Sequence, residues 1–400
     1  METRRNGSGR RTGAGASARW DTESSLEELA QLVRTAGGVV VGQAVQKLRS
    51  PNPAHYVGPG KLGEIVAQRD ATGYTMVVFD DELSPSQQRN LEQALKVKVL
   101  DRAALILDIF AMRAHTREGR LQVELAQSEY LLPRLAGQWS HLERLGSSGA
   151  QGAIGVRGPG ETQLETDRRL ARNKIGRLKR EIEDVRRRRS LYRRRRARSG
   201  VSVVALVGYT NAGKSTLMRT LTHADVLVED QLFATLDPVT RRLRLPRGRT
   251  TLLTDTVGFI QKLPTQLVAA FRATLEELAE ADLLLHVVDI THPDAAQQSQ
   301  TVDDTLADLG LTEQPRITAL NKVDLFVGRD GGALTRIEEL ADYDLSLAQH
   351  RPDAVLISAE RGWGLDELLA RIEQALARAA EKNTPGTSRR DGWPSPTTAR

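Results

Sequence analysis

Residues 208–215, with the sequence GYTNAGKS, constrain the fold of this chain more than any other stretch. They fit the pattern G-x-x-x-x-G-K-[ST], follow an apolar run rich in β-branched residues (201–207) and lead directly into a helical pattern from Thr216. A phosphate-binding loop needs this order of strand, loop and helix, because backbone N–H groups and the helix N-terminus must point at the phosphates. We expect Lys214 to reach the β- and γ-phosphates and the Ser215 hydroxyl to ligate Mg²⁺. The alternative is an unrelated glycine-rich turn, which the motifs further along the chain disfavour.

A second motif closes a predicted strand at residues 250–255. The strand ends in Asp255-Thr256-Val257-Gly258, which fits D-x-x-G. In this position Asp255 can hold the magnesium ion through water, and the N–H of Gly258 can sense a γ-phosphate. D-x-x-G alone is weak evidence for a nucleotide site, but it is strong evidence at the end of a strand that follows a phosphate-binding loop.

A third motif indicates which base is bound. A predicted strand at 317–320 ends in Asn321-Lys322-Val323-Asp324. The Asp324 carboxylate can accept both the N1–H and the exocyclic amine of guanine, whereas adenine lacks both and leaves the carboxylate unpaired. We expect Asn321 to connect this loop to the phosphate loop. A last predicted strand, 354–357, ends in residues 358–360, placed to contact the base oxygen through backbone N–H groups. The ordered set predicts GTP rather than ATP.

Residues 233–237 (FATLD), between the phosphate loop and Asp255, form the expected first switch segment. We choose Thr235 as the second hydroxyl ligand of Mg²⁺, with Thr240 as the fallback. Phe259 stands where many switch GTPases carry a glutamine that orients water, so we expect slow intrinsic hydrolysis that a partner accelerates. Asn211 resembles the residue that holds K⁺ in some GTPases, which makes K⁺ a second candidate ion.

The expected site falls into three functional sets. The expected catalytic residues are Lys214, Thr235 and Gly258, and the expected metal ligands are Ser215 and Thr235. The expected GTP-binding residues are Gly208, Tyr209, Thr210, Asn211, Ala212, Gly213, Lys214, Ser215, Phe233, Ala234, Thr235, Leu236, Asp237, Asp255, Thr256, Val257, Gly258, Asn321, Lys322, Val323, Asp324, Ser358, Ala359 and Glu360.

Length and composition limit the remaining possibilities. Four hundred residues, 40% hydrophobic, exceed one compact core and indicate two or three domains. The absence of cysteine excludes disulfides, thiolate metal sites and thiol catalysis, and it suits a reducing cytoplasm. No apolar run approaches twenty residues, so we expect no membrane span. Nothing in the sequence demands more than a monomer.

We expect five segments along the chain. Residues 1–21 read as a disordered basic arm, 22–112 as a small α/β subdomain, 113–199 as a helical hairpin, 200–378 as the GTPase domain and 379–400 as a disordered tail.

Within the small subdomain we expect helices at 24–34 and 84–95 and strands at 37–44, 75–79 and 97–100. Gln87 stands at the capping-box position for Ser84. The Gly58-x-Gly60-Lys61 stretch could suggest a nucleotide loop, but a turn that opens a helix through residue 67 is favoured.

The hairpin carries most of the positive charge. Its first arm runs from residue 113 to about residue 145, and Pro133 within this arm should bend the helix. A glycine-rich stretch at 146–160 follows. We expect this stretch to be a flexible tip, with a plain linker as the alternative. The second arm ends in two runs of four arginines, 186–189 and 193–196. This density of arginines favours binding to a polyanion such as RNA. The alternative interpretation is a solvated hinge helix, and binding to an anionic membrane surface is the weakest of the three. Expected RNA contacts are Arg157, Arg186, Arg187, Arg188, Arg193 and Arg194.

The chain resembles the HflX family of ribosome-associated GTPases, within the Obg-like translation factors. The matching stretches are 56–61 (YVGPGK), 158–169 (GPGETQLETDRR), the phosphate loop, 233–238 (FATLDP) and 255–259 (DTVGF). Three positions depart from the family pattern, namely Ala153 in the tip, Val239 where threonine is usual and Glu360 where lysine is usual. The departure at Ala153 could alter the flexibility of the tip and hence its ribosomal contact.

The resemblance implies an α/β fold, with a P-loop GTPase domain (mixed, mostly parallel sheet) preceded by a small α/β subdomain and a long helical hairpin. It also implies Mg²⁺ ligands at Ser215 and Thr235 and guanine contacts at 321–324 and 358–360. Family members bind the 50S subunit, with the tip near the peptidyl-transferase region, and split 70S particles under stress. Some bind or hydrolyse ATP through the N-terminal part.

We therefore expect a cytoplasmic, ribosome-associated GTPase that splits or recycles ribosomes. The alternative is a GTP-gated protein that binds or remodels RNA. Aromatic residues are only 4% of the chain, which disfavours the coating of single strands by base stacking.

Overall fold

The structure, a computed structural model, describes residues 22–138, 159–198, 201–222, 231–263, 278–326, 334, 336–342 and 353–383. The expected N-terminal arm lies outside the described residues, as do tip residues 146–158 and tail residues 384–400. Where the structure is described, the second arm of the hairpin already begins at Pro159 and the last helix continues to Asn383, so both are longer than expected.

The N-terminal part alternates helices with two short strands. In order, its elements are α1 (Thr22–Thr35), α2 (Pro59–Ala67), α3 (Arg69–Thr72), β1 (Met76–Phe79), α4 (Pro85–Leu95), β2 (Lys98–Asp101) and α5 (Arg102–Arg113). The strands pair in parallel, with Met76 opposite Lys98. The predicted capping box is confirmed, because the Ser84 side chain accepts from the N–H of Gln87 at 3.2 Å while the Gln87 side chain accepts from the N–H of Ser84 at 3.0 Å. The Gly/Pro stretch before α2 caps that helix, as expected.

The strand expected at 37–44 is wrong, because the structure forms no strand there. Val39 is 84% exposed and Val41 is 53% exposed. A valine-rich run favours extended backbone, yet a strand also needs a neighbouring edge to hydrogen-bond with and a surface to pack against. In the described residues the sheet of this part contains β1 and β2 alone.

Two long helices form the hairpin, α6 (Arg117–Gln138) and α7 (Pro159–Arg198). Helix α6 runs through Pro133 without ending there. Leu178 of α7 is 1% exposed and belongs to one apolar cluster with Leu121 and Leu125 of α6. Ion pairs of 2.8 Å, Lys174–Glu124 and Lys179–Glu129, add to the seam. The hairpin is therefore held by a narrow apolar stripe with charged edges.

The C-terminal part is a six-stranded sheet with helices on both faces. Its elements are β3 (Val203–Gly208), α8 (Lys214–Thr222), β4 (Val239–Arg244), β5 (Thr250–Asp255), β6 (Leu283–Asp289), α9 (Ala295–Asp308), β7 (Arg316–Asn321), β8 (Ala354–Leu356) and α10 (Leu365–Asn383). The strand order is β4-β5-β3-β6-β7-β8, and β4 is antiparallel to β5 while the other pairs are parallel. The α/β fold with a mixed, mostly parallel sheet is thus confirmed.

The N-terminal part and the sheet share one core. Ile106 and Phe110 of α5 and Leu32 of α1 pack in one apolar cluster with Val207 at the end of β3 and with Phe259. The other face of the sheet is covered by α8 and α10. Because β3 leads into the phosphate loop, the N-terminal helices lie beside that loop. No helix in the described ranges is long and apolar enough to cross a membrane.

Candidate nucleotide-binding site

The loop between β3 and α8 requires glycine at two positions. Gly208 and Gly213 have φ angles of 153° and 92°. A Cβ on Gly208 would lie 2.3 Å from the carbonyl oxygen of Val287, and one on Gly213 would lie 2.3 Å from Nδ2 of Asn321. The chain therefore turns tightly here, with its backbone against the neighbouring strands. Above it opens a cleft lined by Thr210, Asn211, Gly213, Lys214, Ser215, Thr216, Gln231, Phe233, Ala234, Thr235, Thr256 and Gly258.

Lys214 is buried at the base of this cleft. Its ammonium group donates to the carbonyl oxygens of Gly208 at 3.2 Å and Tyr209 at 2.8 Å. Burial lowers the pKa of Lys214 to about 8, and the nearby Asp255 carboxylate opposes that shift. A buried cation whose described hydrogen bonds go to two backbone carbonyls is well placed to take an anionic ligand.

Three hard oxygen ligands converge beside Lys214. The Ser215 hydroxyl donates to Oδ2 of Asp255 at 2.7 Å, the Thr235 hydroxyl donates to the same atom at 3.0 Å, and the two hydroxyls are 2.8 Å apart. Asp255 is fully buried, and its Oδ1 has no hydrogen-bond partner. Burial raises the pKa of Asp255, while Lys214 and the two hydroxyls lower it. This set fits Mg²⁺, because the ion prefers oxygen ligands and the orphaned Oδ1 is available for its bound water.

The fallback ligand Thr240 lies elsewhere. It is the second residue of β4, and its hydroxyl is 3.0 Å from that of Thr254 on β5. The structure thus brings Thr235 to Ser215 and Asp255, and it leaves Thr240 in the sheet.

The expected base-binding loops are connected as the sequence suggests. The Asn321 amide donates to the Ala212 carbonyl at 2.8 Å, and its oxygen accepts from the N–H of Ala359 at 2.9 Å. One side chain therefore joins the phosphate loop to the loop after β8. Ser358 is fully buried, and its hydroxyl accepts from the N–H of Arg361 at 3.0 Å.

The other expected base contacts differ in their surroundings. Lys322 pairs with Asp289 at 2.8 Å, and Glu360 pairs with Arg219 at 3.2 Å. Val323 is fully buried in an apolar cluster. Asp324 is half-buried at the surface of the loop, where its carboxylate can meet a ligand.

The D-x-x-G segment rests directly on the phosphate loop. The N–H of Phe259 donates to the Gly208 carbonyl at 3.1 Å, and the N–H of Thr210 donates to the Phe259 carbonyl at 2.8 Å. A Cβ on Gly258 would lie 3.0 Å from the Lys214 amine. The Thr256 hydroxyl donates to the Leu206 carbonyl at 2.7 Å. Gly258 is thus beside the amine that would bind the γ-phosphate.

The first switch segment is divided between the cleft and the N-terminal part. Phe233, Ala234 and Thr235 line the cleft, and the Phe233 ring packs edge-to-face on Phe110 of α5 with centroids 4.6 Å apart. Asp237 instead accepts from the N–H groups of His115 at 2.9 Å and Thr116 at 2.8 Å, just before α6.

Several expected GTP contacts therefore have side chains outside the cleft. Leu236 is buried in the core and Asp237 binds the start of α6, because a helix N-terminus attracts a carboxylate. Val257 packs in the same core. Tyr209 follows Gly208 in the phosphate loop, but its hydroxyl donates to Glu28 of α1 and accepts from the N–H of Gln261 at 2.9 Å.

Three family models match the chain in succession. They are described as GTP-binding GTPase N-terminal (residues 23–111), GTP-binding GTPase Middle Region (113–196) and 50S ribosome-binding GTPase (203–322). The GTPase HflX of Lacrimispora saccharolytica is 51% identical over 359 residues, which cover 89% of this chain and 80% of that protein. The chain belongs to the HflX family of GTPases.

A further curated relative agrees with this assignment. The GTPase HflX of Caldanaerobacter subterraneus subsp. tengcongensis is 49% identical over 361 residues, covering 90% of this chain and 79% of the relative. Among solved structures, a GTP-binding protein from Sulfolobus solfataricus in complex with GDP is 25% identical, with 89% and 96% coverage and a TM-score of 0.45. As an HflX GTPase with a P-loop domain, the chain binds GTP and hydrolyses it.

A buried polar network between the two parts was not foreseen from the sequence. Arg102 of α5, 2% exposed, pairs with Glu28 of α1 and, at 2.7 Å, with Asp80 after β1. Lys262, three residues after Phe259, reaches Asp80 at 2.5 Å and Asp81 at 2.6 Å. Burial lowers the pKa of Arg102 to about 10. The available signal was an arginine at the start of a mostly apolar helix, but no local sequence pattern identifies its distant partners.

Proposed function

We propose that this HflX GTPase is a nucleotide switch that associates with the 50S ribosomal subunit and splits or recycles 70S ribosomes under stress. The Asp237 contact carries the proposal, because it connects the first switch segment to the hairpin. Thr235 is directed at the metal site, and two residues later Asp237 binds the start of α6. An ordered or released switch segment would therefore act on the hairpin that faces the partner.

The charge on the hairpin supports RNA as the surface that it meets. Helix α7 contains sixteen Lys or Arg residues against six Asp or Glu. Arg186, Arg187 and Arg188 are exposed on it, whereas Arg193 and Arg194 belong to the helix but their side chains are not described, and Arg157 lies outside the described residues. Phosphates of rRNA would release counterions on meeting such a helix, which makes binding salt-dependent. The family description "50S ribosome-binding GTPase" agrees.

GTP occupies the cleft in this proposal, with Mg²⁺ held by Ser215 and Thr235. The metal neutralises charge that develops on the phosphates. Lys214 binds the β- and γ-phosphates, the Gly258 N–H contacts the γ-phosphate, and Asn321 fixes the loop that presents Asp324 to guanine. Asn211 has a φ of 60° in the loop, where it could present its amide to K⁺. Phe259 is 1% exposed and apolar, so it cannot orient water, and intrinsic hydrolysis is slow until the ribosome assists.

Association with ribosomes places the protein in the cytoplasm, and it acts as a monomer. The N-terminal part serves as the docking region together with the hairpin. No group in these contacts requires a second copy of the chain.

Co-sedimentation tests this proposal directly. The full chain is spun with purified 30S, 50S and 70S particles, with GDP or a non-hydrolysable GTP analogue, at two salt concentrations. We expect pelleting with 50S that depends on the GTP analogue, weakens at high salt and is lost when residues 149–160 are deleted. Equal binding to any RNA regardless of nucleotide would favour the alternative, a GTP-gated protein that binds or remodels RNA.

A further inference from the structure

Gln231 lines the phosphate cleft and has no role in the mechanism so far. It shares the cleft wall with Lys214, Thr235 and Gly258, the groups that surround the expected position of the γ-phosphate. It also lines a second opening, together with Gln31, Arg34 and Thr35 of α1 and with Asn211. Gln231 therefore stands where water enters the cleft from the side of the N-terminal part.

Arg113, the last residue of α5, holds this side chain by donating from Nη2 to the Gln231 carboxamide oxygen. Helix α5 is a rigid support, because Ile106, Ile109 and Phe110 are all almost completely buried. A carboxamide oxygen has two lone pairs, so the oxygen that accepts from Arg113 can also accept from a water molecule. The N-terminal part thus fixes an acceptor at the mouth of the site.

Hydrolysis needs such an acceptor. The oxygen of water forms a bond to the γ-phosphorus while the bond to the β–γ bridging oxygen breaks, GDP leaves with the electron pair of that bond, and the proton of the water ends on inorganic phosphate. The water must be oriented in line, and Phe259 cannot do this. Of the other polar groups in the cleft wall, the Thr256 hydroxyl donates to a backbone carbonyl.

We infer that Gln231 is the catalytic residue that orients the attacking water, and that Arg113 is a positioning residue that holds Gln231 in place. The inference rests on the proposed placement of GTP in this cleft. It places the water-orienting amide before the first switch segment instead of after the D-x-x-G motif. Arg113 makes the geometry of the amide depend on how the N-terminal part sits against the switch.

The test measures single-turnover GTP hydrolysis by the full chain, together with GDP affinity and binding of GDP with tetrafluoroaluminate. We expect Gln231→Ala to lower the rate roughly 100-fold, the usual scale for a group that assists proton transfer or aligns water. It should also abolish tetrafluoroaluminate binding, which mimics the transferring phosphoryl group, and leave GDP affinity unchanged. Arg113→Ala should lower the rate less, and Arg113→Lys should restore part of the loss, because lysine can still donate to the amide.

Three further variants separate the possible failures. Gln31→Ala changes an exposed glutamine of the second opening and should leave hydrolysis unchanged. Thr210→Val removes the competing hydroxyl, which is buried without a hydrogen-bond partner beside Gly258. A lost rate in Thr210→Val with an intact rate in Gln231→Ala would overturn the inference. Lys214→Ala examines the cleft itself: if GTP still binds normally to that variant, the placement of GTP fails, and the Gln231 inference fails with it.

Discussion

At the scale of single residues, the cleft is defined by two buried charges in unfavourable surroundings. Burial lowers the pKa of Lys214 to about 8 and raises the pKa of Asp255. Each charge is only partly compensated by the other and by the backbone or hydroxyl groups around it. Phosphate oxygens and a divalent cation would supply the missing charges, so ligand binding relieves an electrostatic cost that the free protein carries.

This imbalance predicts a pH effect on nucleotide binding. The lowered pKa means that Lys214 loses its proton as the pH rises through about 8, whereas a bound phosphate requires the charged amine. We expect the affinity for GDP without Mg²⁺ to fall by up to about tenfold per pH unit above that point. Titration calorimetry near pH 8, in buffers of different ionisation enthalpy, should show proton uptake on binding. Binding without proton uptake would contradict this assignment.

Asp324 offers a residue-scale test of base choice. Asp324→Asn replaces an acceptor of two guanine protons with an amide that donates. We expect GTP affinity to fall by about 10- to 150-fold, since the one lost hydrogen bond to a charged group is worth about 1.5–3 kcal/mol. Affinity for xanthosine triphosphate should rise, because its C2 carbonyl can accept from the amide. Asp366→Asn, at an exposed position on α10, is the matched control. Unchanged discrimination in Asp324→Asn would remove this residue from the base site.

At the scale of elements, the start of α6 depends on a carboxylate from another domain. Asp237 accepts from the N–H groups of His115 and Thr116 and from the Thr116 hydroxyl. That hydroxyl in turn accepts from the N–H of Gly119 at 3.0 Å and caps the helix. We expect Asp237→Ala to loosen this cap and to destabilise the first turn of α6 by up to about 0.5–2 kcal/mol, the usual cost of a lost N-cap. Amide hydrogen exchange at residues 115–119 should accelerate, while Asp184→Ala, at an exposed position on α7, should leave it unchanged. Equal exchange in both variants would show that the cap has no effect.

Elements of this molecule differ in how far local sequence determines them. The capping box of α4 and the parallel strands were predictable, because Ser84 and Gln87 act within one turn and buried strands are long apolar runs. The strand predicted for the valine-rich run at 37–44 was wrong, because a strand forms only where a neighbouring strand is available for hydrogen bonding. The proximity of Ser215, Thr235 and Asp255 could be predicted from the order of the motifs. The contact between Asp237 and the start of α6 could not. That contact joins residues more than 100 positions apart, which no period or motif encodes.

At the scale of the whole molecule, the buried Arg102 holds together the network between the two parts. Within the N-terminal part it pairs with Glu28 and Asp80. Tyr209 and Lys262 of the C-terminal part bind the same two carboxylates. Arg102→Ala would leave the Glu28 carboxylate without its cation, whereas Asp80 keeps its pairing with Lys262. We expect a loss of about 3–5 kcal/mol in the free energy of unfolding. Arg102→Met fills the space but still leaves Glu28 without a cation, so it should recover only part of the loss. Urea unfolding measures both, with Arg378→Ala on the exposed side of α10 as control. A wild-type midpoint for Arg102→Ala would contradict the assigned pairing.

Lys262 gives this network a connection to the nucleotide. It lies four residues after Gly258, whose backbone would contact the γ-phosphate, and it pairs with Asp80 and Asp81 of the N-terminal part. A movement of Gly258 on GTP binding would therefore pull on the two aspartates. Tyr209, in the phosphate loop itself, reaches Glu28 of the same network. The N-terminal part is thus connected both to the phosphate loop, through Tyr209, and to the segment that follows the D-x-x-G motif, through Lys262.

We expect a non-hydrolysable GTP analogue, compared with GDP, to change amide hydrogen exchange in α1 and in residues 80–84. Lys262→Ala should abolish that difference while nucleotide affinity stays the same, because Lys262 is outside the cleft. Lys47→Ala, at an exposed position of the N-terminal part, serves as the control. If the difference persisted in Lys262→Ala, the signal would have to pass through the Tyr209–Glu28 hydrogen bond or through the apolar core shared by α5, β3 and Phe259. Ion pairs can exchange partners at little cost, whereas a close-packed core resists displacement, so the network is the part of this interface better suited to switching.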